Sequence, residues 1–190
     1  MRGRGGRIAM LVLAGGMAAG MAGGAVSAEC RQALAIGLDR SGSVDPAEHA
    51  LMVEGMAAAL EDPGVRSDFL ALPGSPVALA IFEWSGERFQ RLILDWTVID
   101  SAAALDAVAG RLRTQSPVEA PTGTAVGSAI VYAEALLARS PGCRRLTLDL
   151  AGDGRSNAGP APDAVRFAPA GRQGTVNAWL SGCPRAGGGG

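Results

Sequence analysis

Hydrophobic residues of the chain occur in short continuous runs that polar or glycine-rich segments separate. Residues 33–38 (ALAIGL) form one such run, which ends at Asp39, and residues 145–151 (RLTLDLA), which we also predict as a strand, lead into Gly152-Asp153-Gly154. Continuous apolar runs of this length are typical of parallel strands that are covered on both faces of a sheet. We therefore predict two buried parallel strands, each followed by a polar loop.

Helices are predicted between these strands. Asp45 is suited to cap a helix, Pro46 fits the first helical position, and Glu48 completes a capping box. Further helices are predicted from the cap Asp100 to about residue 113 and over residues 125–138. The first helix is expected to reach about residue 60. There Asp62-Pro63-Gly64 ends it, and its predicted core residues are Ala50, Leu51, Val53, Ala57 and Leu60.

Residues 77–84 and 89–96 are predicted as two further strands, and the short turn Ser85-Gly86-Glu87 joins them into an antiparallel hairpin. A short helix is expected near residues 163–168 and a last strand at 175–180. The alternation of strands and helices predicts an α/β fold. Its central sheet is doubly wound and mostly parallel, with the antiparallel hairpin at one edge. Open sheets of this kind bind ligands beyond the carboxyl ends of their parallel strands.

The N-terminal segment, residues 1–28, has the pattern of a secretory signal peptide. Arginines precede an uncharged apolar stretch at 8–26, and Val26-Ser27-Ala28 offers the small residues that a signal peptidase reads. We predict cleavage after Ala28 and export to the periplasm or out of the cell, without stable membrane insertion of the mature chain. An uncleaved membrane anchor is the alternative, because the apolar stretch is nearly long enough to span a bilayer.

The rest of the chain is long enough for one domain, which we assign to residues 29–180, followed by a flexible tail at 181–190. The net charge is −1, and the 17 residues counted as lysine or arginine are all arginine. A near-neutral chain without a basic stripe lacks the electrostatic pattern that nucleic-acid binding requires. We therefore expect no nucleic-acid partner.

Three polar clusters stand out against this apolar background. Residues 39–43 follow the first strand, Thr122-Gly123-Thr124 opens a helix, and Gly152-Asp153-Gly154 follows the second buried strand. If the two buried strands lie side by side, all three clusters meet at one edge of the sheet. Their carboxylates and hydroxyls supply only oxygen, the donor that Mg²⁺ and Mn²⁺ prefer. The sequence therefore predicts a site for Mg²⁺ or Mn²⁺ at this edge.

The pattern Asp39-x-Ser41-x-Ser43, with a distant Thr and a distant Asp-Gly, resembles the metal-ion-dependent adhesion site of von Willebrand factor A (vWA) domains. The resemblance implies that Ser41, Ser43 and Thr124 coordinate the metal directly. It implies that Asp39 and Asp153 act through bound water or neutralise charge. It also implies that another protein completes the metal shell with a carboxylate, so that the domain is a binding module and not an enzyme.

The segment 123–127 resembles the Gly-Thr-x-Thr-Gly segment of vWA domains, which makes Thr122 a weaker ligand candidate than Thr124. Residues 82–86 (FEWSG), 96–100 (WTVID) and 148–154 (LDLAGDG) are similar to an uncharacterised bacterial family of exported vWA-like proteins. That family has no assigned activity, so it implies the fold more than the function. A full domain of this type continues through further helices and a last strand. A truncated or frameshifted gene is therefore an alternative to a complete chain.

The three cysteines, Cys30, Cys143 and Cys183, allow one disulfide in an oxidising compartment. Cys30 lies nine residues before Asp39, and Cys143 lies ten residues before Asp153. If both Asp residues end adjacent parallel strands, both of these cysteines lie near each other at the opposite edge of the sheet. We therefore predict a Cys30–Cys143 disulfide and an unpaired Cys183. Three unrelated buried thiols are the alternative.

Three other interpretations fit parts of the pattern. A phosphoryl-transfer enzyme of the haloacid dehalogenase type needs an Asp at the position of Ser41 and a Lys, and the chain has neither. A serine hydrolase needs a base beside Ser41 or Ser43. The single His49 is interpreted as a helix-surface residue, and Glu83 is expected to face solvent or Arg88 and Arg91. A structural vWA-like domain that binds neither metal nor partner is the third alternative.

Overall fold

A single mixed sheet forms the centre of the molecule. The computed structural model describes residues 29–116, 118–153 and 155–180, so the predicted signal peptide, the tail and Cys183 lie outside the described residues. The strands follow the order β3-β2-β1-β4-β5 across the sheet. Their bounds are β1 (Gln32–Asp39), β2 (Val77–Trp84), β3 (Gln90–Ile99), β4 (Arg145–Gly152) and β5 (Thr175–Leu180).

The pairing of the strands confirms the predicted fold class. β1 pairs in parallel with β2 and with β4, and β4 pairs in parallel with β5. β2 and β3 pair in the antiparallel sense, so this hairpin forms one edge of the sheet. Because β1 and β4 are parallel neighbours, the loops after Asp39 and Gly152 leave the sheet at the same edge.

Helices cover both faces of the sheet. Every residue of β2 is buried, with Leu79 and Ile81 in one apolar cluster and Phe82 in the other. The first cluster includes residues of α1 (Pro46–Glu61), α2 (Pro63–Leu70) and α3 (Ala102–Arg113), and the second includes residues of α4 (Val126–Ala138). This coverage explains the unbroken apolar sequence of the strand. None of the helices in the described part of the chain combines the length and the apolarity that crossing a bilayer requires.

The start of α1 is as predicted, but its packed face is not. Asp45 accepts hydrogen bonds from two backbone amides, and Glu48 completes the capping box. Ala57 is buried, as expected, whereas Ala50 is exposed and Leu51 is 72% exposed. The prediction for these two residues was wrong. Apolar residues occur on several sides of α1, so the pattern does not distinguish the face that packs.

The helix α2 was not predicted from the sequence. Asp62, which was expected only to end α1, accepts hydrogen bonds from the backbone N of Gly64 and Val65 at 2.8 and 3.1 Å and so caps α2. Pro63 occupies the first turn of α2. Backbone N–H groups there have no acceptor within the helix, so the missing N–H of proline costs no hydrogen bond. The same Asp-Pro pair ends one helix and starts the next, and the local pattern does not separate these two outcomes.

A disulfide joins Cys30 and Cys143, as predicted. The two cysteines lie just before the amino ends of β1 and β4, where Gln32 pairs with Arg145. This is the edge of the sheet opposite Asp39. The bridge joins residues 113 positions apart in the sequence. A bridge of this span restricts the unfolded chain and is expected to stabilise the domain by about 4 kcal/mol.

Candidate metal centre

Asp39 is the last residue of β1, and its side chain is fully buried where the parallel strands end. Its Oδ1 accepts a hydrogen bond from the backbone N of Ser41 at 2.7 Å, which closes a tight turn. The backbone N of Arg40 donates to the carbonyl of Trp84 at 2.8 Å. The turn is therefore fixed both by Asp39 and by the end of β2.

A series of hydrogen bonds links this turn to the end of β4. The Oγ atoms of Ser41 and Ser43 are 3.0 Å apart, and the Ser43 hydroxyl donates to Oδ1 of Asp153 at 2.7 Å. Ser41 is buried, Asp153 is half-buried and Ser43 is exposed, so the series runs from the interior to the surface. The structure thus brings together four of the five residues predicted for the site: Asp39, Ser41, Ser43 and Asp153.

The second oxygen of Asp39 has no hydrogen-bond partner in the part of the chain that the structure describes. This atom, Oδ2, is also buried. Burial raises the pKa of Asp39, and the charge of Asp153 raises it further, although hydrogen bonds from Ser41 and from the backbone of Asp153 act in the opposite direction. A buried charge without a compensating partner is costly. A divalent cation beside Oδ2 would remove that cost, so the residues present fit a bound metal ion.

Gly152 leaves the space that the free oxygen of Asp39 occupies. A Cβ atom at position 152 would lie 2.6 Å from Oδ2 of Asp39 and 3.0 Å from its Cβ. Nonbonded atoms do not approach this closely without a shift of one of them. A larger residue at this position would therefore displace the carboxylate.

Thr124 lies on the neighbouring loop, which precedes α4. It is 2% exposed, and the backbone N of Gly42 ties this loop to the turn at 39–43 by donating to the carbonyl of Thr122 at 3.1 Å. Thr122 itself is exposed. Within the described part of the chain, no hydrogen bond joins the Thr124 hydroxyl to the other four predicted residues. Thr124 is thus on a loop that contacts the site, but it is not part of the hydrogen-bond series.

Two polar residues that the sequence analysis did not select hold the Thr124 loop. Oδ1 of Asn157 accepts a hydrogen bond from the backbone N of Thr124 at 2.8 Å, and the Asn157 backbone N donates to the Thr124 carbonyl at 2.9 Å. The Ser85 hydroxyl donates to the carbonyl of Gly123 at 3.1 Å. The sequence signal for Asn157 is weak. It is a polar residue four positions after Asp153, but its neighbour Ser156 is also polar, so the pattern does not single out Asn157.

A second buried polar cluster confirms one prediction and corrects another. Glu83 is 1% exposed and contacts Arg91, which was one of its two predicted environments: Nε of Arg91 donates to its Oε2 at 2.8 Å. His49 is not on the helix surface but is 8% exposed, and its Nε2 lies 3.0 Å from Oε1 of Glu83 without the alignment of a hydrogen bond. His49 is engaged with Glu83, and among the described residues it makes no hydrogen bond to Ser41 or Ser43.

The candidate site is not a cluster of His, Cys or acidic residues of the kind that many metal sites use. In residues 29–116, 118–153 and 155–180, no group of three or more His, Cys, Asp or Glu is arranged to hold a metal. The site at the sheet edge combines two carboxylates with hydroxyl groups. These are hard oxygen donors, which suit Mg²⁺ and Mn²⁺ better than softer metals.

Known structures with a similar fold include three proteins of low sequence identity. Proximal thread matrix protein 1 from the mussel byssus has a TM-score of 0.54 and 15% identity, and the match covers 80% of this chain and 44% of that one. A von Willebrand factor type A protein from Catenulispora acidiphila has a TM-score of 0.50 and 20% identity, over 78% and 33% of the two chains. A mutant of the PilB minor pilin from Streptococcus sanguinis has a TM-score of 0.50 and 10% identity, over 66% and 30%.

These similarities establish the fold alone. The sequence identities are low, and the chain spans less than half of each of these proteins. A sequence search of curated proteins finds no match. The family described as "Protein of unknown function (DUF1194)" matches residues 29–182, which is most of the chain. The chain therefore belongs to the DUF1194 family, and it folds as a vWA-like domain.

Proposed function

We propose that the chain is an exported binding module that holds one divalent cation, Mg²⁺ or Mn²⁺, at the carboxyl edge of its sheet. Ser41, Ser43 and Thr124 are the proposed direct ligands, and Asp39 and Asp153 act through bound water. The observation that carries the proposal is Oδ2 of Asp39, a buried carboxylate oxygen without a hydrogen-bond partner among the described residues. A cation is the simplest group that would compensate it.

The surrounding loops support this proposal, because they hold the donor atoms close together before any ion binds. The Ser41 and Ser43 hydroxyls are in contact at 3.0 Å, and Asp153 is in contact with Ser43 at 2.7 Å. The hydrogen bonds of Asn157 fix the backbone of Thr124 from both sides. A bound cation would compete with Asp153 for the Ser43 hydroxyl, so a small rearrangement of the exposed side is expected.

The proposed partner is another protein that offers a carboxylate. Two aspartates balance the charge of a divalent cation, so the loaded site has a net charge near zero and still accepts an anionic ligand. Ser43 is exposed and Asp153 is half-buried, which leaves the site open on this side. We propose no catalytic role. The two serine hydroxyls contact each other and a carboxylate, whereas His49, the base that a hydrolase would need, contacts Glu83.

Calorimetric titration with Mg²⁺ and Mn²⁺ after removal of metal with EDTA tests the metal site. We expect saturable one-to-one binding that is lost in Asp39→Ala and in Asp153→Ala. Glu48→Ala is the matched control, because Glu48 is an exposed acidic residue of the capping box and is expected to affect only α1. Equal metal affinity in all three variants would contradict the proposed ligands.

Export is tested separately by the N-terminal sequence of the protein recovered from the cell envelope or the medium. A mature chain that begins at Glu29 is expected if residues 1–28 are a cleaved signal. An intact N-terminus on a membrane-bound protein would favour the uncleaved anchor instead.

A structural role without metal is the second candidate, and one observation favours it. The hydroxyls of Ser41 and Ser43 and the carboxylate of Asp153 already have partners in one another. A folded protein that shows no heat of binding with either metal would leave this role as the better account.

A further inference from the structure

A cavity of about 480 Å³ opens between α1 and α3 beside the turn at residues 39–43. Its apolar wall is formed by Pro46, Val53 and Leu112, and Glu83 and His49 also line it. We refer to it as the α1–α3 cavity. A volume of this size, with apolar walls and a few polar groups, is typical of sites for small molecules.

The carboxylates that line the α1–α3 cavity already have cationic partners. Glu83 contacts Arg91 at 2.8 Å and His49 at 3.0 Å. Burial raises the pKa of Glu83, but the contacts with His49 and Arg91 outweigh it and hold this pKa below its ordinary value, so the carboxylate stays charged and paired. Glu54, at the exposed rim, makes a two-pronged contact with Arg113, which also binds Glu61. Neither lining carboxylate is therefore free to hold a cationic ligand.

Arg40 is the positive group of the cavity for which the described residues supply no counter-charge. Its Nη2 donates to the backbone carbonyl of Val118 at 2.7 Å, and among the described residues no carboxylate lies within ion-pair distance of it. Nε2 of His49 is also buried and has no aligned hydrogen-bond partner. An arginine that is held in place by a carbonyl, at the side of an apolar cavity, is suited to bind a planar anion.

We propose that the α1–α3 cavity binds a small organic carboxylate. Its carboxylate pairs with Arg40, and its apolar body lies against Pro46, Val53 and Leu112. This site is separate from the proposed metal centre and does not require a metal ion. Because Arg40 belongs to the turn at residues 39–43, an occupant of the cavity contacts a residue of the metal-site turn.

Carboxylates of increasing size are the probes for this site. Propionate, phenylacetate and indole-3-acetate are titrated into the metal-free protein, and the amide signals are followed by two-dimensional NMR. Phenylacetamide serves as the neutral control and phenethylamine as the cationic control. We expect saturable shifts centred on His49, Ala50 and Val53 with the aromatic carboxylates, and no saturation with the two controls at the same concentrations.

Two variants locate the binding. Arg40→Gln is expected to weaken phenylacetate binding about tenfold, since it removes a charge-assisted pair. Ala50→Trp places a large ring at an exposed helix position that lines the cavity, and it is expected to abolish binding without disturbing the core. Arg88→Gln is the control, because Arg88 is an exposed arginine of the β2–β3 turn.

Some results would overturn the proposal. They are no saturable shift with any of the three carboxylates in a folded protein, equal binding of phenylacetamide, or binding that Ala50→Trp leaves unchanged. Repeating the titration with Mg²⁺ present separates this site from the metal site. If the protein binds the carboxylates but not Mg²⁺, the cavity proposal stands and the metal proposal fails. If it binds Mg²⁺ but not the carboxylates, the metal proposal stands and the cavity proposal fails.

Discussion

Asp39 and Glu83 are buried carboxylates near the ends of two neighbouring parallel strands, β1 and β2, where Leu38 pairs with Glu83 and Asp39 pairs with Trp84. Their side chains are equally inaccessible, at 0% and 1% exposed. Glu83 contacts Arg91 and His49, whereas Oδ2 of Asp39 has no partner among the described residues. Accordingly, the pKa of Glu83 is held below its ordinary value and that of Asp39 is raised.

We interpret Glu83 as a structural charge, whereas Asp39 is a proposed functional one. The protein neutralises Glu83 with its own side chains, so this carboxylate contributes to folding without a ligand. Asp39 lies next to a second carboxylate, Asp153, and in the proposed metal site a cation from outside the chain would compensate its charge. The comparison predicts that removing the charge of Glu83 destabilises the metal-free protein much more than removing the charge of Asp39.

The largest effect is expected for Glu83→Gln. The substitution leaves Arg91 and His49 without their anionic partner in a buried setting, and breaking such a pair costs about 3 kcal/mol. The free energy of unfolding in urea measures it. Glu87→Gln, at an exposed turn position, is the control and is expected to change stability by less than about 0.5 kcal/mol. Similar values for the two variants would show that Glu83 is not a structural charge.

Gly152→Ala is expected to cost about 2 kcal/mol, since the added methyl group would overlap the carboxylate of Asp39. It should also lower metal affinity, because the carboxylate has to move. Gly55→Ala is the matched control. A Cβ at position 55, inside α1, meets no atom within 4 Å, and this variant should gain about 0.5–1 kcal/mol. A stable Gly152→Ala variant would contradict the close packing around Asp39.

Asp39→Asn is expected to change the stability of the metal-free protein by less than about 1 kcal/mol. The amide oxygen keeps the acceptor for the backbone N of Ser41, and the uncompensated charge disappears. With Mg²⁺ at about a hundred times its dissociation constant, the free energy of unfolding of the unsubstituted protein should rise by about 2.7 kcal/mol. That of the variant should not change. If Asp39→Asn destabilised the metal-free protein as much as Glu83→Gln does, the contrast between the two carboxylates would be wrong.

The smallest effect is a pH dependence that Glu83 introduces. Its pKa is lowered in the folded state, so its contribution is present above the pKa of the unfolded chain and is lost as the pH falls through the folded value. The stability advantage of the unsubstituted protein over Glu83→Gln should therefore shrink below about pH 4. Urea unfolding of both proteins across the acidic range measures it, and a constant difference would contradict the assignment.

Part of this arrangement was predictable from the sequence, because it follows from local patterns and from topology. The continuous apolar run of β1 indicated a buried parallel strand, and β4 was predicted as a strand that had to lie beside it for the polar clusters to meet. The structure makes them parallel neighbours, which brings Asp39 and Asp153 to one edge. The same geometry brings Cys30 and Cys143 together at the other edge. In each case a residue's position follows from its distance along a strand, which the sequence contains.

The rest depends on contacts between elements, which no local pattern encodes. His49 is buried because α1 carries it to the end of β2, and apolar residues on several sides of α1 gave no sign of which face packs. The helix α2 was missed because Asp62 has the same sequence signature whether it ends one helix or starts another. The unpartnered oxygen of Asp39 depends on the space beside Gly152, which only the folded structure defines.

A crystal of the protein soaked in Mn²⁺ and measured near the manganese absorption edge tests the central claim most directly. We predict one strong anomalous peak between the turn at 39–43, Thr124 and Asp153, with Ser41, Ser43 and Thr124 as direct ligands and Asp39 linked through water. No peak at this edge of the sheet, or a peak held by other residues, would contradict the account.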